Sequence, residues 1–382
     1  MTETNEADGA RRGTCASTKN DGLAGGERPT VRNEVRFHLL HFYRVLAIMA
    51  IVLHHADMIA VKNYGIHFFS GMFSWFDFRV DFLFGLSGFI ITWLYADKCG
   101  KAGEAGLFLL KRLIRIYPLL FTLTSIKLLL LAVFSGGRWV HESVSLKLVI
   151  SSYLMLPMEG YPLILGAWIL PFEVCFYVIF ALAIYGKVKW VFGMCMLWMA
   201  VIIGFHLGGF GASESTVPFL LRLRHLQIMG GVITAVWLRR NPSVRWMPVL
   251  LGGACLLFIV SFALHERLEQ SCTLFRRTWW LLAFSALIAG SVLLEKQRAV
   301  PLSFWRWLNS LGDASYSIFL IHSPVLVLGL MWLHCTHVLA GPWRDGFMLS
   351  LVGCAIIAGV CCHRWLEKPL NGWVKSLVRR ED

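Results

Sequence analysis

Charge is what this chain has least of. Only 15% of its 382 residues are Asp, Glu, Lys or Arg, and 57% are hydrophobic, with a mean hydropathy of +0.62. Soluble chains carry roughly 25% charge, so the composition points to an all-α polytopic membrane protein. The ten cysteines include no CxxC pair and no ligand spacing, which argues against a zinc or dithiol centre. Cys175, Cys195, Cys255, Cys354, Cys361 and Cys362 sit inside apolar runs and read as small packing residues. Cys272 and Cys335 fall on one expected side of the membrane and are candidates to pair. No signal peptide precedes the first apolar run, so that run is expected to be an anchor.

What is present orders the chain. Apolar windows fall near 38–60, 76–96, 114–134, 166–185, 188–207, 218–238, 247–264, 278–294, 313–334 and 346–365, about ten spans of bilayer length. Leu146–Pro157 is too short to span and is expected along the surface. The net charge of +13 would suit nucleic acid, but the basic residues cluster beside apolar segments, as topology signals do, and no nucleic-acid partner is expected. Lys and Arg counts place both termini in the cytoplasm; the largest outer group is Arg267, Arg276 and Arg277. Residues 1–36 are polar and expected to be disordered. The transmembrane domain is 37–370, and 371–382 is a basic tail. Sixteen tryptophans, several at segment ends, fit interfacial belts.

Ionisable groups at membrane depth are costly and mark sites. The first span carries Arg44, His54 and His55. Eleven residues at 100° each return to within about 20° of the starting direction, about 16 Å along the axis, so Arg44 and His55 share a stripe and His54 points about 80° away. His55 is therefore the catalytic candidate. In the second span Asp81 either pairs with Arg79 or Arg44, or faces His55 and fixes its tautomer. Ser87 is a further candidate there, and Gly85 and Gly88 admit a close helix neighbour. Arg112 and Arg115, three residues apart at the mouth of the third span, are a topology signal or a fork for a pyrophosphate. Glu173 needs a cationic partner or a proton. Near the end, His322 and Ser323 lie at mid-membrane beside Pro324. Asp313 and Ser315 read as helix caps, and Glu367 with Pro369 as a helix end.

These segments, in this order, resemble the acyltransferase-3 family of integral membrane acyltransferases. The family's Arg followed eleven residues later by His is matched by Arg44 and His55. VDFLFGLSGF (Val80–Phe89) resembles its glycine-flanked second-helix motif, and Arg112–Pro118 its RxxRIxP. Trp168, Leu170, Glu173, Phe176 and Tyr177 keep the register of W-x-L-x-x-E-x-x-F-Y. SYSIFLIHSP (Ser315–Pro324), which includes Tyr316, matches SYSIYLIHxP, and Glu367–Pro369 the closing E-[KR]-P. Around Arg44 the family more often has small residues where this chain has Tyr43 and Val45. The hydrolase-like domain that many members carry at the C-terminus is not expected here.

The resemblance implies transfer of an acyl group, usually acetyl, from cytoplasmic acyl-CoA, as co-substrate, to a carbohydrate hydroxyl. The acceptor would be a surface polysaccharide or lipid-linked glycan, the site the bacterial cytoplasmic membrane, and polysaccharide-biosynthesis proteins possible partners besides membrane lipids. It gives His55, Asp81 and Glu173 catalytic roles and Arg44, Arg112 and Arg115 donor binding, with Ser87, Ser315, Tyr316 and His322 as further candidates and no metal. The alternative class is a secondary transporter of a sugar or lipid intermediate. Against it, the two halves share no similarity and no pair of broken helices stands out.

Overall fold

The computed structural model describes residues 37–73, 78–101, 103–133, 144–186, 188–210, 217–297 and 310–378. The N-terminal segment to Arg36, Trp75, Trp139, Lys187, Arg298, Arg306 and the tail end at 379–382 lie outside the described residues. Among the described residues there is no strand. The helices are α1 His38–Tyr64, α2 Arg79–Tyr95, α3 Glu104–Val133, α4 Leu146–Leu154, α5 Leu170–Ile184, α6 Val188–Leu207 and α7 Arg224–Arg239. They continue with α8 Trp246–Ala263, α9 His265–Gln270, α10 Thr273–Gln297, α11 Ser315–Cys335, α12 Arg344–Cys362 and α13 Lys368–Val378.

Nine helices among the described residues are long and apolar enough to cross a membrane. The window at 218–238 is α7, a 16-residue helix that is not one of the nine. Its reason is packing. Nearly all of α7 is buried, against α2, α10 and α6, so it has little need of a lipid-facing apolar surface. Glycine makes that burial tight. A methyl group on Gly88 of α2 would strike the Ile228 carbonyl, and one on Gly231 of α7 would strike the Gly85 carbonyl. The two helices therefore cross backbone against backbone. α8 is the opposite case, burying only Ala254 and Ser261.

Tyr43 and Val45 fit where smaller residues are more usual. The Tyr43 ring stands edge-on to Phe82 at 6.3 Å, and its hydroxyl accepts from Ser291 at 3.3 Å. Val45 is buried against Leu39, Phe42 and Leu311. The short stretch after Ser145 is the nine-residue α4, capped by the Ser145 hydroxyl, which accepts from the Leu148 amide.

Four expectations need correction. α3 begins at Glu104, whose carboxylate pairs with Lys98 at 2.8 Å, so Arg112 and Arg115 stand two to three turns inside the helix rather than at its mouth. α10 begins at Thr273, which draws Arg276 and Arg277 out of the loop and into the helix. Glu367 does not end a helix. α12 runs through a π turn, His363–Glu367, into α13, and the wider turn accommodates Pro369, which has no N–H to give. Glu367 is buried there, accepting from Ser317 Oγ and from His363 Nδ1, each at 2.6 Å. Finally, Cys272 and Cys335 are exposed free thiols at helix ends and do not pair.

The glycine contact sets a test. Gly88→Ala is expected to cost about 2 kcal/mol or more through overpacking, read as a lower thermal midpoint or loss of monodisperse protein in detergent. Gly252→Ala, whose added methyl meets no atom within 4 Å, should leave the midpoint unchanged or slightly higher.

Candidate active site

α1 is long and apolar through its middle, so the polar side chains embedded in it can only be tolerated where other elements receive them. Near its C-terminal end three do so in succession. His54 Nδ1 donates to the Phe73 carbonyl at 3.0 Å. Asp57 is buried and accepts from the Phe68 amide at 2.7 Å. These bonds fold the segment after α1 back onto it, and that segment holds Phe69 and Ser70 in the left-handed region at φ 45° and 52°, conformations that persist only when surroundings enforce them. Asp57 was not singled out from sequence; its position two residues beyond His55 was the only available signal.

His55, between them in the chain, faces another helix. Its Nδ1 lies 2.6 Å from Nε2 of His322 on α11, and the two ring planes are parallel within 4°. His322 is fully buried, and its Nδ1 lies 3.1 Å from the Ile318 carbonyl one turn earlier. A carbonyl can only accept, so His322 carries its hydrogen on Nδ1. In a neutral ring Nε2 is then a bare acceptor. Only one hydrogen fits between the two rings, and it belongs to His55 Nδ1. By the same accounting His55 Nε2 is left with its lone pair.

A cavity of about 370 Å³ opens beside that ring, lined by both His54 and His55, by Arg79 and Asp81 of α2, Ser151 and Ser152 of α4, Trp168 and Phe172, Arg222 and Arg224, and Arg277 of α10. His54 therefore shares the wall with His55 despite the angle between them, because the cavity is wide enough to take in both positions. What separates them is bonding. The His54 ring is tied to Phe73, the His55 ring to His322.

The carboxylate expected to orient His55 is engaged elsewhere. Asp81 is buried and forms an ion pair with Arg277, itself buried, rather than with Arg44. Both line the cavity, and the pair explains how an arginine counted as a loop signal enters the bundle: each charge offsets the other's desolvation. Arg79 is also buried and within electrostatic reach of His55. Ser87 is half-buried on α2.

The other candidates gather toward the opposite end of α1. Arg44, Arg112 and Arg115 all interact electrostatically with Glu173, and Arg44 also with Asp313. Glu173 accepts from the Tyr177 hydroxyl at 3.0 Å. Arg115 is exposed, whereas Arg112 is half-buried, with its guanidinium 5.4 Å from the Tyr95 ring and 5.7 Å from Phe108. The Tyr316 hydroxyl donates to the Ile116 carbonyl at 2.8 Å, joining α11 to the segment that carries Arg115. Ser315 is buried at the start of α11, where Ala314 is the N-cap and no side chain caps. Asp313 thus faces an arginine rather than capping a helix. Two clusters result, about 16 Å apart along α1: arginines around Glu173, and histidines at the cavity.

If His322 holds the tautomer of His55, its loss matters through His55. His322→Ala is expected to lower turnover by about 10²–10⁴-fold, the usual worth of a positioned base. His322→Gln, whose amide oxygen can still accept from His55 Nδ1, should recover part of it. Turnover measured on equal amounts of monodisperse protein checks this.

A profile described as an acyltransferase domain matches residues 38–368. The chain is also similar to the exopolysaccharide production protein ExoZ of Rhizobium meliloti (strain 1021), 26% identical over 313 residues, which span 76% of this chain and 88% of that protein. No solved structure matches it.

Proposed function

The chain belongs to the acyltransferase-3 family, and on that premise we propose that it transfers an acyl group, acetyl in the simplest case, from cytoplasmic acyl-CoA to a hydroxyl of a carbohydrate acceptor. The acceptor is a surface polysaccharide or a lipid-linked glycan, in keeping with the exopolysaccharide production named for its relative. The membrane is the bacterial cytoplasmic membrane, with both termini on the cytoplasmic side. One observation carries the reading: a buried imidazole whose Nε2 is bare by hydrogen-bond accounting, held by His322 at the wall of a cavity.

The reaction assigns each group a task. The acceptor hydroxyl gives its proton to His55 Nε2 while its oxygen bonds to the thioester carbonyl carbon. Collapse of the tetrahedral intermediate breaks the C–S bond, and His55 returns the proton to the departing thiolate, releasing free CoA. The same bare nitrogen would serve a two-step route in which the acyl group rests on His55. His322, a neutral acceptor, holds the ring without supplying a full countercharge. The imidazolium is therefore not over-stabilised and gives its proton back readily. Arg79 faces the charge that builds on the thioester oxygen. Arg112 and Arg115 hold the CoA phosphates, and Arg44 guides the thioester end inward. Glu173 balances the arginines. Donor and acceptor meet by a passage from the arginine cluster to the cavity.

In a deletion strain complemented with wild type, His55→Ala or His54→Ala, ester-linked acyl groups on surface glycans are read by NMR and mass spectrometry. His55→Ala should remove a specific ester, a loss of at least about 10²-fold. His54→Ala, which removes the bond to the Phe73 carbonyl, should keep activity within about 10-fold of wild type. Identical glycans in wild type and deletion strain would refute the carbohydrate acceptor.

A further inference from the structure

The length of α12 fixes the level at which its far end stands. From Gly346 to His363 the chain carries no Asp, Glu, Lys or Arg. Arg344 and Arg364, on either side of that run, are twenty residues apart, about 30 Å along a helix, which is the thickness of a bilayer's hydrocarbon core. Arg364 therefore stands at headgroup level. Trp365 is exposed beside it, as tryptophans at that boundary are. In α13, Leu370, Trp373, Val374 and Leu377 follow helical spacing on one face, with Lys368 and Lys375 on the other, the pattern of a helix at a membrane surface.

A groove of about 390 Å³ reaches Arg364 along the seam between α12 and α1. Val45, Ile48 and Met49 line it from α1, Ile357 and Val360 from α12, and Ile318 from α11. Arg364 is the only charged residue among its described lining residues. The seam is open because α12 packs on α11 in preference to α1. A methyl group on Gly359 would strike the Ile318 backbone, so those two helices meet closely there. Val45, by contrast, belongs to a small apolar cluster with Leu39, Phe42 and Leu311, apart from the main core.

Charge decides what fills the groove. Glu367, the one acid between Gly346 and Val378, is buried and bonded to Ser317 and His363. Arg364 and Lys368 are exposed and pair with no acid among the described residues. A zwitterionic lipid would bring its own ammonium to this cationic surface, whereas an anionic lipid brings only the opposite charge. A guanidinium at the polar end of an apolar groove matches a phosphate followed by a hydrocarbon chain.

We propose that the seam between α1 and α12 is a binding site for an anionic phospholipid, with one acyl chain in the groove and the phosphate on Arg364. The chain packs against α1 and α11 together, beside Ile318, whose carbonyl lies 3.1 Å from His322 Nδ1. The lipid thus fills the gap next to the two helices that carry the histidine pair. The site needs nothing from the acyl-transfer reading.

Native mass spectrometry of the full chain in detergent tests this, with phosphatidylglycerol and phosphatidylcholine of equal chain length as probes. Wild type should retain one phosphatidylglycerol roughly 5- to 30-fold more strongly than phosphatidylcholine, the worth of one or two cations near the phosphate. Arg364→Gln should bring the two lipids to within about twofold. Lys375→Gln, on α13 away from the groove, should keep the wild-type preference. Ile357→Trp, which fills the groove from an exposed position, should lower retention of phosphatidylglycerol to that of phosphatidylcholine. Equal retention of the two lipids by wild type overturns the proposal and needs no variant to fold. An undiminished preference in Arg364→Gln or Ile357→Trp also overturns it, because the lipid would then sit elsewhere. Displacement of phosphatidylglycerol by an equimolar polyprenyl phosphate assigns the groove to a lipid carrier instead. A lipid-free dimer that Ile357→Trp makes monomeric assigns it to a second copy of the chain, and either result overturns the phospholipid site.

Discussion

Two imidazoles meeting nitrogen to nitrogen at 2.6 Å, inside an apolar bundle, impose more on this protein than any other contact. Two like rings can share one hydrogen only if one offers a lone pair, and which one does so is decided by a third group. Here that group is the Ile318 carbonyl, a fixed acceptor one helical turn from His322. The backbone of α11 thereby dictates a proton position on α1. Other bonds fix each of the two helices in place: the Tyr316 hydroxyl bond to α3 and the Glu367 brace on Ser317 for α11, and the Asp57 and His54 bonds to the following segment for α1.

The second constraint is electrostatic. An arginine entering a bilayer-embedded bundle needs an acid, a ring or a ligand. Arg277 has Asp81, Arg112 has Tyr95 and Phe108, and the three arginines toward the start of α1 share Glu173. The fold thus separates two cation-rich regions along α1, and the transfer proposed above, from a CoA thioester to a glycan hydroxyl, would use both. Tight crossing of α2 over α7, set by Gly88 and Gly231, brings Arg79 and Asp81 into the same wall as Arg222 and Arg224.

Much of this was legible in the sequence, for reasons that differ by residue. The helical repeat placed Arg44 and His55 on one stripe, and ordered motifs named Glu173, Arg112, Arg115 and His322 before any contact was known. Periodicity could not say what each faced. A 100° repeat fixes direction around one helix and is silent about its neighbour, which is why the partner of His55 was sought among carboxylates and found in His322. Arg277 was read as a loop charge because apolar windows end where charges begin, whereas the helix itself starts earlier, at Thr273. Arg222 and Arg224 fall inside the apolar window at 218–238, whose average hides two charges at the start of a buried helix. α7 reads as a span from its apolar window, and its burial among α2, α6 and α10 is why it can be shorter than the other nine spans.

The claim on which the account turns is the tautomer of His55. Nitrogen-15 spectra of histidine-labelled protein in nanodiscs, with the two rings assigned through His55→Ala and His322→Gln, distinguish protonated from bare ring nitrogens directly. The account predicts a protonated Nδ1 and a bare Nε2 on both rings. A His55 ring protonated at Nε2 would contradict it, since no lone pair would then face the cavity.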